Sequence, residues 1–236
     1  MTEPTDWGQK KLARTVGEQL GRQRRRVNRA LLEPVVLSSE FWDEETAYMQ
    51  PPIQRELEII AGHSAEEHHQ MPLFLPVDID ETFDHVRSWA REYTYELITG
   101  INARTRVIVS NAIEQYNATE GMTRAELEDM LMNTPGSPFG PSRAARIAVT
   151  ETTRAYYEGG AEMAREAESL GIQIIHLWQT NRDDRVCDIC GPLHMTARYG
   201  KPKGKYEYGW EIGPPAHVNC RCKVAYELVG ADELES

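Results

Sequence analysis

The sequence predicts an α+β fold, in which a mostly helical N-terminal part precedes a small C-terminal α+β domain. Apolar residues recur at helical spacing through most of the first 170 positions. Two later segments, 172–180 and 223–229, are rich in β-branched residues and have the composition of strands. All four cysteines lie between these two segments. The chain therefore has its helices first and a small cysteine-bearing sheet region last.

The composition is that of an ordinary globular protein. The 236 residues are 40% hydrophobic and 27% charged, and a chain of this length can bury a substantial core. No apolar run approaches the roughly twenty residues that a membrane-spanning helix needs. The first thirty residues are polar and arginine-rich, unlike a secretory signal. These features predict that the protein has no membrane partner.

The net charge of -11 is unevenly distributed. Residues 1–30 hold eight Lys or Arg against three acids, whereas residues 31–100 hold fifteen acids against three bases. An acidic whole argues against general nucleic-acid binding over the entire surface. A basic arm on an acidic body can still contact DNA or an acidic partner.

Residues 1–79 are predicted to form a helical N-terminal region with a basic first helix. That helix spans 7–32 and is ended by Pro34. Ser39 is the predicted N-cap of a short helix that Pro51-Pro52 stop. The polar side of the first helix, which either binds phosphate or an acidic surface or faces solvent, carries Arg22, Arg24, Arg25, Arg26 and Arg29.

A second helix is predicted over 53–69, followed by an extended, core-packed connector over 71–80. Three histidines, His63, His68 and His69, crowd the end of this helix. Adjacent helical residues point about 100° apart, so His68 and His69 do not share a face. We expect these histidines to be surface residues near a helix C-terminus rather than metal ligands.

Residues 80–141 are predicted to form a helical linker region. Asp80 caps a long helix over 81–117, which Gly100 bends or breaks. The run Thr123–Glu126 is a capping box that begins a shorter helix, and a loop dense in proline and glycine follows that helix.

Residues 142–229 form the third predicted region, followed by a tail over 230–236. Ser142 is expected to cap its helix and Gly171 to end it. Glu151 and Arg154, three positions apart, are expected to form an ion pair rather than to act in catalysis. Their alternative partners are Asp184 and Arg185. Beyond this helix, segment 223–229 is expected to pair with strand 172–180, and 199–213 to form a hairpin or exposed loop.

The cysteines have the spacing of a structural metal site. In Cys187-x-x-Cys190 a tight turn lets two sulfurs converge on one point about 2.3 Å away. In an extended Cys220-x-Cys222, the side chains leave the same face of the chain. His217 is a fifth candidate for four tetrahedral positions, whereas His194 follows the first pair too closely to be favoured. The ligands are therefore the four cysteines, or three of them with His217.

The alternatives are two disulfides or four ordinary thiols. Disulfides are typical of secreted, cysteine-dense small domains, while short-spaced pairs in a reducing compartment are more often metal ligands or redox pairs. A redox pair would leave the second cysteine pair unexplained. A closed site of four protein ligands also leaves no position for an activating water. We therefore expect structural Zn²⁺, which staples a domain with little core of its own.

Three blocks of sequence carry a resemblance to a known family. They are Arg146–Tyr156, then Trp178–Thr180 followed by Asp184–Cys190, and finally Pro215–Cys222. Their order and spacing resemble the Mu F-like (phage head morphogenesis, minor head protein) family of tailed bacteriophages, over about residues 100 to 225. The resemblance implies a non-enzymatic virion component, present in few copies, that binds the portal protein and acts in head morphogenesis or DNA packaging and delivery.

The resemblance also implies further contacts and a location. Major capsid or scaffold proteins are possible partners, and the expected location is the head interior or portal vertex, with assembly in the host cytoplasm. One alternative is a metal-dependent nuclease or hydrolase, in which His217 is a general base or ligand and Arg221 clamps phosphate. The acid of that enzyme would be Glu151 or Asp184.

The other alternative function is a DNA-binding zinc module that uses Arg182, Arg185, Arg198, Lys201, Lys203, Lys205 and Arg221.

Overall fold

The structure is a computed structural model, and it describes residues 4–31, 37–134, 136–198, 208–210 and 212–229. Within these ranges the fold is α+β and mostly helical, as predicted. The helices are α1 (Pro4–Ala30), α2 (Ser39–His69), α3 (Ile79–Ala118), α4 (Arg124–Met132) and α5 (Pro141–Ser169). The strands are β1 (Ile174–Gln179), β2 (Ala197–Arg198), β3 (Tyr208–Trp210) and β4 (Lys223–Leu228). No described helix is long and apolar enough to span a bilayer.

The chain divides into two compact units, each assembled from separated stretches. The C-terminal unit comprises Met1–Gln9, Leu57–Trp89 and Val149–Ser236. The helical unit comprises Lys10–Glu56 and Ala90–Ala148. Because the long helices contribute residues to both units, the units do not follow chain order. The predicted division into residues 1–79, 80–141, 142–229 and 230–236 stays a prediction.

Helix α2 corrects the predicted stop at Pro51-Pro52, because it continues through both prolines as one helix from Ser39 to His69. A proline inside a helix removes a backbone hydrogen bond and is costly. Trp42, Met49 and Ile53, which lie on one helical face on either side of the prolines, are all buried. Burial of that continuous stripe outweighs the lost hydrogen bonds.

Helix α3 also runs unbroken, through Gly100, where a break or bend was predicted. Ile98 and Ile101 on either side are buried, so packing holds the helix across the glycine. The helix starts earlier than predicted. Its first turn is held by Asp78 rather than Asp80, since the Asp78 carboxylate accepts from the Asp80 N–H at 2.9 Å.

Of the other local predictions, the structure confirms the capping box and corrects the connector and the cap of α5. The capping box of α4 is confirmed, with Thr123 and Glu126 bonded reciprocally. The connector after α2 contains a 3-10 turn at Pro72–Phe74 instead of being extended throughout, although the Phe74 side chain is fully buried, as a core-packed connector requires. Ser142 is not the cap of α5: Pro141 already occupies the first helical position, where its missing N–H costs nothing.

The sheet of the C-terminal unit has the order β3-β2-β1-β4. Strands β1 and β4 pair antiparallel along their whole length, from Ile174 opposite Leu228 to Gln179 opposite Lys223, which confirms the predicted closing strand. Strand β2 adds to the other edge of β1, and β3 pairs parallel to β2. The predicted loop or hairpin over 199–213 lies largely outside the described residues. The pairing of β1 with β4 places Cys222 directly before a strand, which holds the second cysteine pair in position.

Helix α5 packs closely on α2 within the C-terminal unit because it carries two glycines in succession. A Cβ added at Gly159 would lie 2.0 Å from the carbonyl oxygen of Ala61. One added at Gly160 would lie 2.9 Å from the His68 ring. Gly171, with φ +84°, follows the C-terminal end of α5, as predicted.

The core of the C-terminal unit includes Phe74, Ala161, Met163, Ala164, Trp178, Cys190, Cys220, Cys222 and Tyr226.

Candidate metal centre

Two short loops present the cysteines. In the first, the Cys190 N–H donates to the Cys187 carbonyl at 3.1 Å and the Gly191 N–H donates to the same oxygen at 2.9 Å. In the second, the Cys220 N–H donates to the His217 carbonyl at 3.1 Å. Each bond closes a turn of about four residues, so both ligand pairs are held on tight backbone.

The five predicted ligands converge. The Nε2 atom of His217 lies 3.0 Å from the Cys187 sulfur and 3.2 Å from the Cys190 sulfur. The sulfurs of Cys190 and Cys220 are 3.8 Å apart. Two groups of three ligand atoms result: Cys187, Cys190 and His217 form one, and Cys190, Cys220 and Cys222 form the other. Cys190 belongs to both groups.

The separation of the Cys190 and Cys220 sulfurs fits a tetrahedral ion. Metal–sulfur bonds of about 2.3 Å place two ligand sulfurs of a tetrahedron roughly 3.8 Å apart, as found for Cys190 and Cys220. The loops enclose a cavity of about 20 Å³, enough for one water-sized sphere. All four cysteines are free thiols, three of them buried. The residues present therefore have the donor set and the spacing to hold a metal ion.

His217 is oriented for coordination through Nε2. Its Nδ1 lies 2.8 Å from the carbonyl oxygen of Val218, so Nδ1 carries the hydrogen and donates it. The Nε2 lone pair then faces the sulfurs of Cys187 and Cys190. Backbone carbonyls commonly fix a ligand imidazole in this way. The bond to Val218 also raises the pKa of His217.

The sulfurs perturb one another because they share a small buried space. A hydrogen bond from the Cys222 thiol lowers the pKa of Cys220 to about 5. That same bond raises the pKa of Cys222 well above its usual range, and burial raises the pKa of Cys190 to about 12. The N–H of Cys190 lowers the pKa of Cys187. A dication bound by these sulfurs would lower the raised pKa values as well, since a coordinated thiol is deprotonated.

Helix α5 fixes the second loop through two threonines that the sequence analysis did not single out. The Thr153 hydroxyl donates to the Cys220 carbonyl at 2.6 Å, and the Asn219 N–H donates to the Thr150 hydroxyl at 3.0 Å. Asn219 has φ +66°, a conformation that asparagine tolerates better than most residues. The sequence contains a feature that could have predicted this role, because both threonines lie in the block Arg146–Tyr156, three residues apart on one helical face.

Asp183 and Arg221 clamp the two loops together. Both terminal nitrogens of Arg221 donate to the Asp183 carboxylate at 2.8 Å, a bidentate pair. These hydrogen bonds hold the pKa of Asp183 well below its usual range. Arg185 donates to the same carboxylate at 3.3 Å. The guanidinium of Arg221 is thus committed to Asp183, which removes the main reason for assigning it as a phosphate clamp.

Other candidate residues lie apart from the cluster. His194 faces the end of β1, where its Nδ1 accepts from the Thr180 N–H at 3.2 Å, so it is not among the converging ligands. Glu151 is buried and lies 3.3 Å from Arg154, which confirms the predicted ion pair. In the predicted basic patch, the Nε atom of Arg182 lies 3.0 Å from the Nε2 atom of His194. Lys201, Lys203 and Lys205 fall outside the described residues.

Two arginines on the basic side of α1 form ion pairs within the helical unit. Arg22 and Arg26 both contact the buried carboxylate of Glu45, at 2.9 and 2.8 Å. Arg26 also pairs with Glu44 at 2.6 Å, and Arg22 lies over the ring of Tyr48. The predicted basic face therefore consists of two internal arginines and an exposed set made up of Arg24, Arg25 and Arg29.

The three histidines of α2 have separate surroundings, as their helical positions predicted. His63 stacks edge-on against Trp7, and the His69 ring lies 3.2 Å from the Val77 carbonyl oxygen. His68 corrects the prediction of a surface residue, because it is buried and its Nδ1 lies 2.6 Å from the Ser64 carbonyl oxygen. Burial lowers the pKa of His68.

Together, the fold and the cluster define a class: a mostly helical α+β protein whose C-terminal sheet carries a Cys/His cluster able to hold a metal ion. A comparison with protein families matches residues 108–225, half of the chain, to the family described as Phage Mu protein F like protein. The chain therefore belongs to the phage Mu F-like family, a family of phage head proteins. Searches of curated proteins and of solved structures each returned no significant match.

Proposed function

We propose that this protein is a minor head protein of a tailed phage or prophage, which binds the portal and acts in head morphogenesis or DNA packaging and delivery. The family match over residues 108–225 is the observation that carries the proposal. The matched range contains α5 and all five candidate ligands. The proposed location is the virion, in the head interior or at the portal vertex, after assembly in the host cytoplasm.

The proposed role of the cluster is structural, with Zn²⁺ held by four of Cys187, Cys190, His217, Cys220 and Cys222. Three of the cysteines are part of the core of the C-terminal unit, beside Trp178 and Tyr226. A metal there cross-links the loop after β1 to the loop before β4, and binding of a structural zinc contributes several kcal/mol to folding. Sulfur-rich, fully protein-ligated sites close the coordination sphere, so this arrangement favours a staple over a hydrolytic centre.

Affinity purification of the tagged full chain from cells that are producing the phage tests the assembly role. We expect mass spectrometry to recover the portal protein, with major capsid or scaffold proteins in smaller amounts. The lysate is divided, and one half is treated with nuclease before capture. Recovery that survives the nuclease indicates protein–protein contact, whereas recovery of nucleic acid alone overturns the proposal in favour of a DNA-binding module.

A matched pair of variants tests the proposed structural role of the cluster through the zinc content of the purified chain. Cys220→Ser removes one candidate ligand, and His194→Ala removes a nearby residue that lies outside the cluster. Under reducing conditions we expect about one zinc per wild-type chain and per His194→Ala chain, and clearly less in Cys220→Ser. Less than about half a zinc per wild-type chain would contradict the structural zinc without affecting the assembly role.

A further inference from the structure

The backbone of the second cysteine loop is held by a side chain of α5. The Thr153 hydroxyl donates to the Cys220 carbonyl at 2.6 Å. Both residues are buried, so water does not compete for this hydrogen bond. A single residue separates Cys220 from Cys222, and the orientation of the intervening backbone sets the direction in which both sulfurs leave the chain. One buried hydroxyl thus constrains two candidate ligands.

A second contact holds this loop against the first cysteine loop. Arg221 lies between Cys220 and Cys222 in the chain, and Asp183 lies four residues before Cys187. The two terminal nitrogens of Arg221 donate to the two carboxylate oxygens of Asp183, each at 2.8 Å. A bidentate pair of this kind fixes orientation as well as separation. The spacing of the two loops is therefore set by side chains that are not candidate ligands.

Contacts of this kind affect metal affinity because the ligands must be brought together for an ion to bind. Loops that are free to move lose conformational entropy when they are fixed around an ion, and this loss weakens binding. Here the contacts of Thr153 and Asp183 already fix the loops in the folded chain. Partners of the ligands commonly change metal affinity by roughly ten- to a hundredfold.

We propose that Thr153 and Asp183 are positioning residues that set the affinity of the cluster for its metal, an inference that rests on the structural zinc proposed above. Thr153 orients the segment from Cys220 to Cys222. Asp183 holds Arg221, and with it the second loop, against the first loop. Each residue acts through the backbone or side chain of another residue and not as a ligand.

The chain offers a matched control beside each positioning residue. The hydroxyl of Thr152 is also buried, but it has no hydrogen-bond partner in the described part of the chain. Removal of a hydroxyl without a partner is close to neutral for stability. Asp184 is an exposed carboxylate next to Asp183 and makes no contact with Arg221 among the hydrogen bonds of that guanidinium.

The first measurement is the zinc affinity of the full chain, obtained by competition with a chelator of known affinity under reducing conditions. We expect Thr153→Val and Asp183→Asn each to weaken zinc binding roughly tenfold or more. The control variants Thr152→Val and Asp184→Asn should keep the wild-type affinity. Thr153→Ser retains the hydroxyl and should therefore bind zinc more tightly than Thr153→Val does.

The second measurement is the absorption spectrum of the chain with bound Co²⁺, which separates positioning from general stability. This spectrum depends on the number of coordinated thiolates and on the coordination geometry. Displaced ligands change the absorption per bound ion, whereas a chain that is only less stable keeps the wild-type spectrum. We expect a changed spectrum in Thr153→Val and Asp183→Asn, and the wild-type spectrum in both controls. Far-UV circular dichroism establishes that each variant is folded under the conditions used.

Weaker zinc binding and a changed Co²⁺ spectrum in both positioning variants, beside wild-type values in both controls, support the proposal. Unchanged affinity, equal losses in variants and controls, or weaker binding with an unchanged spectrum overturns it. If Thr153→Val does not fold, Asp183→Asn and its control give the result, because the Asp183 side chain is 31% exposed and tolerates substitution better. A wild-type chain that binds no zinc contradicts the structural zinc itself, and the positioning role fails with it.

Discussion

Cys190 is the sulfur on which the candidate metal centre depends. It lies within reach of His217 on one side and of Cys220 and Cys222 on the other. Five donors are therefore available for four tetrahedral positions. We expect either His217 or Cys222 to be the spare, because the Cys190 and Cys220 sulfurs are 3.8 Å apart, the separation of two sulfurs bound to one ion. Individual substitutions resolve that choice, because removal of a bound ligand and removal of the spare one have different effects on the metal.

We expect Cys190→Ser to reduce bound zinc below about half an equivalent, since this sulfur is common to both groups. Of His217→Ala and Cys222→Ser, one should lose zinc and the other should keep close to one equivalent. The measurement is metal content after gel filtration in a reducing, metal-free buffer, with His194→Ala as the control. Full zinc content in Cys190→Ser would show that the metal, if any, is not held by this cluster.

His68 predicts a pH dependence of stability. Burial lowers its pKa in the folded state, so the unfolded state binds the proton more tightly. The stabilisation is therefore fully present above the unfolded pKa of about 6.5 and is lost as pH falls below it. Burial lowers the pKa of His176 as well, which adds to the same trend.

Urea unfolding at about pH 7.5 and pH 5.5 measures this dependence. The wild-type chain should have the lower midpoint at pH 5.5. His68→Gln should show a smaller difference between the two pH values, whatever its absolute stability, because glutamine does not titrate. An unchanged difference in His68→Gln would show that other groups produce the pH dependence.

Helix α5 is the element that organises the C-terminal unit. Thr150 and Thr153 bond to the second cysteine loop, and Gly159 and Gly160 allow α2 to approach. Further along, Glu162 and Glu166 contact His85 of α3. The helix thus contacts three other elements with three stretches of its length. A substitution in α5 is therefore expected to have effects that depend strongly on which stretch it alters.

Two glycines test this argument at the level of the element. A methyl group at Gly159 would clash with the Ala61 backbone, whereas one at Gly100 in α3 meets nothing within 4 Å. We expect Gly159→Ala to destabilise by about 1–3 kcal/mol or more, as overpacking does. Gly100→Ala should stabilise by about 0.5–1 kcal/mol, because alanine is the better helix former.

Urea midpoints of the two glycine variants at neutral pH give the comparison. A destabilised Gly159→Ala beside a stabilised Gly100→Ala confirms that α5 and α2 pack backbone to backbone. If Gly159→Ala were as stable as the wild-type chain, the close approach of the two helices would be wrong.

The whole molecule combines two units with different sources of stability. The core of the helical unit is made of side chains such as Val27, Trp42, Val109 and Leu131. All four cysteines lie in the C-terminal unit, three of them buried in its core. Loss of a metal should therefore destabilise one unit only.

The basic first helix is a weaker basis for DNA binding than its composition predicted, because two of its arginines pair with Glu44 and Glu45.

Zinc removal by a chelator is expected to destabilise the C-terminal unit selectively. Hydrogen exchange should become faster in β1 and β4, which flank the two cysteine loops, while α4 in the helical unit keeps its protection. Mass spectrometry of peptides before and after chelation measures both. The control is Cys190→Ser, in which the chelator should change nothing further. Equal loss of protection in α4 would mean that the two units unfold together.

Much of the fold was predictable because its signals are local. The capping box of α4, the glycine at the end of α5 and the composition of β1 and β4 each depend on a few neighbouring residues. The predicted stop at Pro51-Pro52 and the predicted break at Gly100 were wrong for the opposite reason, while the alternative of a bend at Gly100 stays a prediction. There, burial of apolar residues on both sides overrode local preference, and burial depends on the partners that the fold supplies.

The sequence by itself determined the class of fold, the family resemblance and the five candidate ligands, because residue type and spacing are enough to recognise a cysteine knuckle. Only the tertiary structure decided that Cys190 is shared and that Arg221 is committed to Asp183. It alone placed His85 beside Glu162 and Glu166, about 80 positions away. Contacts between residues so far apart in the chain depend on how helices pack, and no local pattern records that packing.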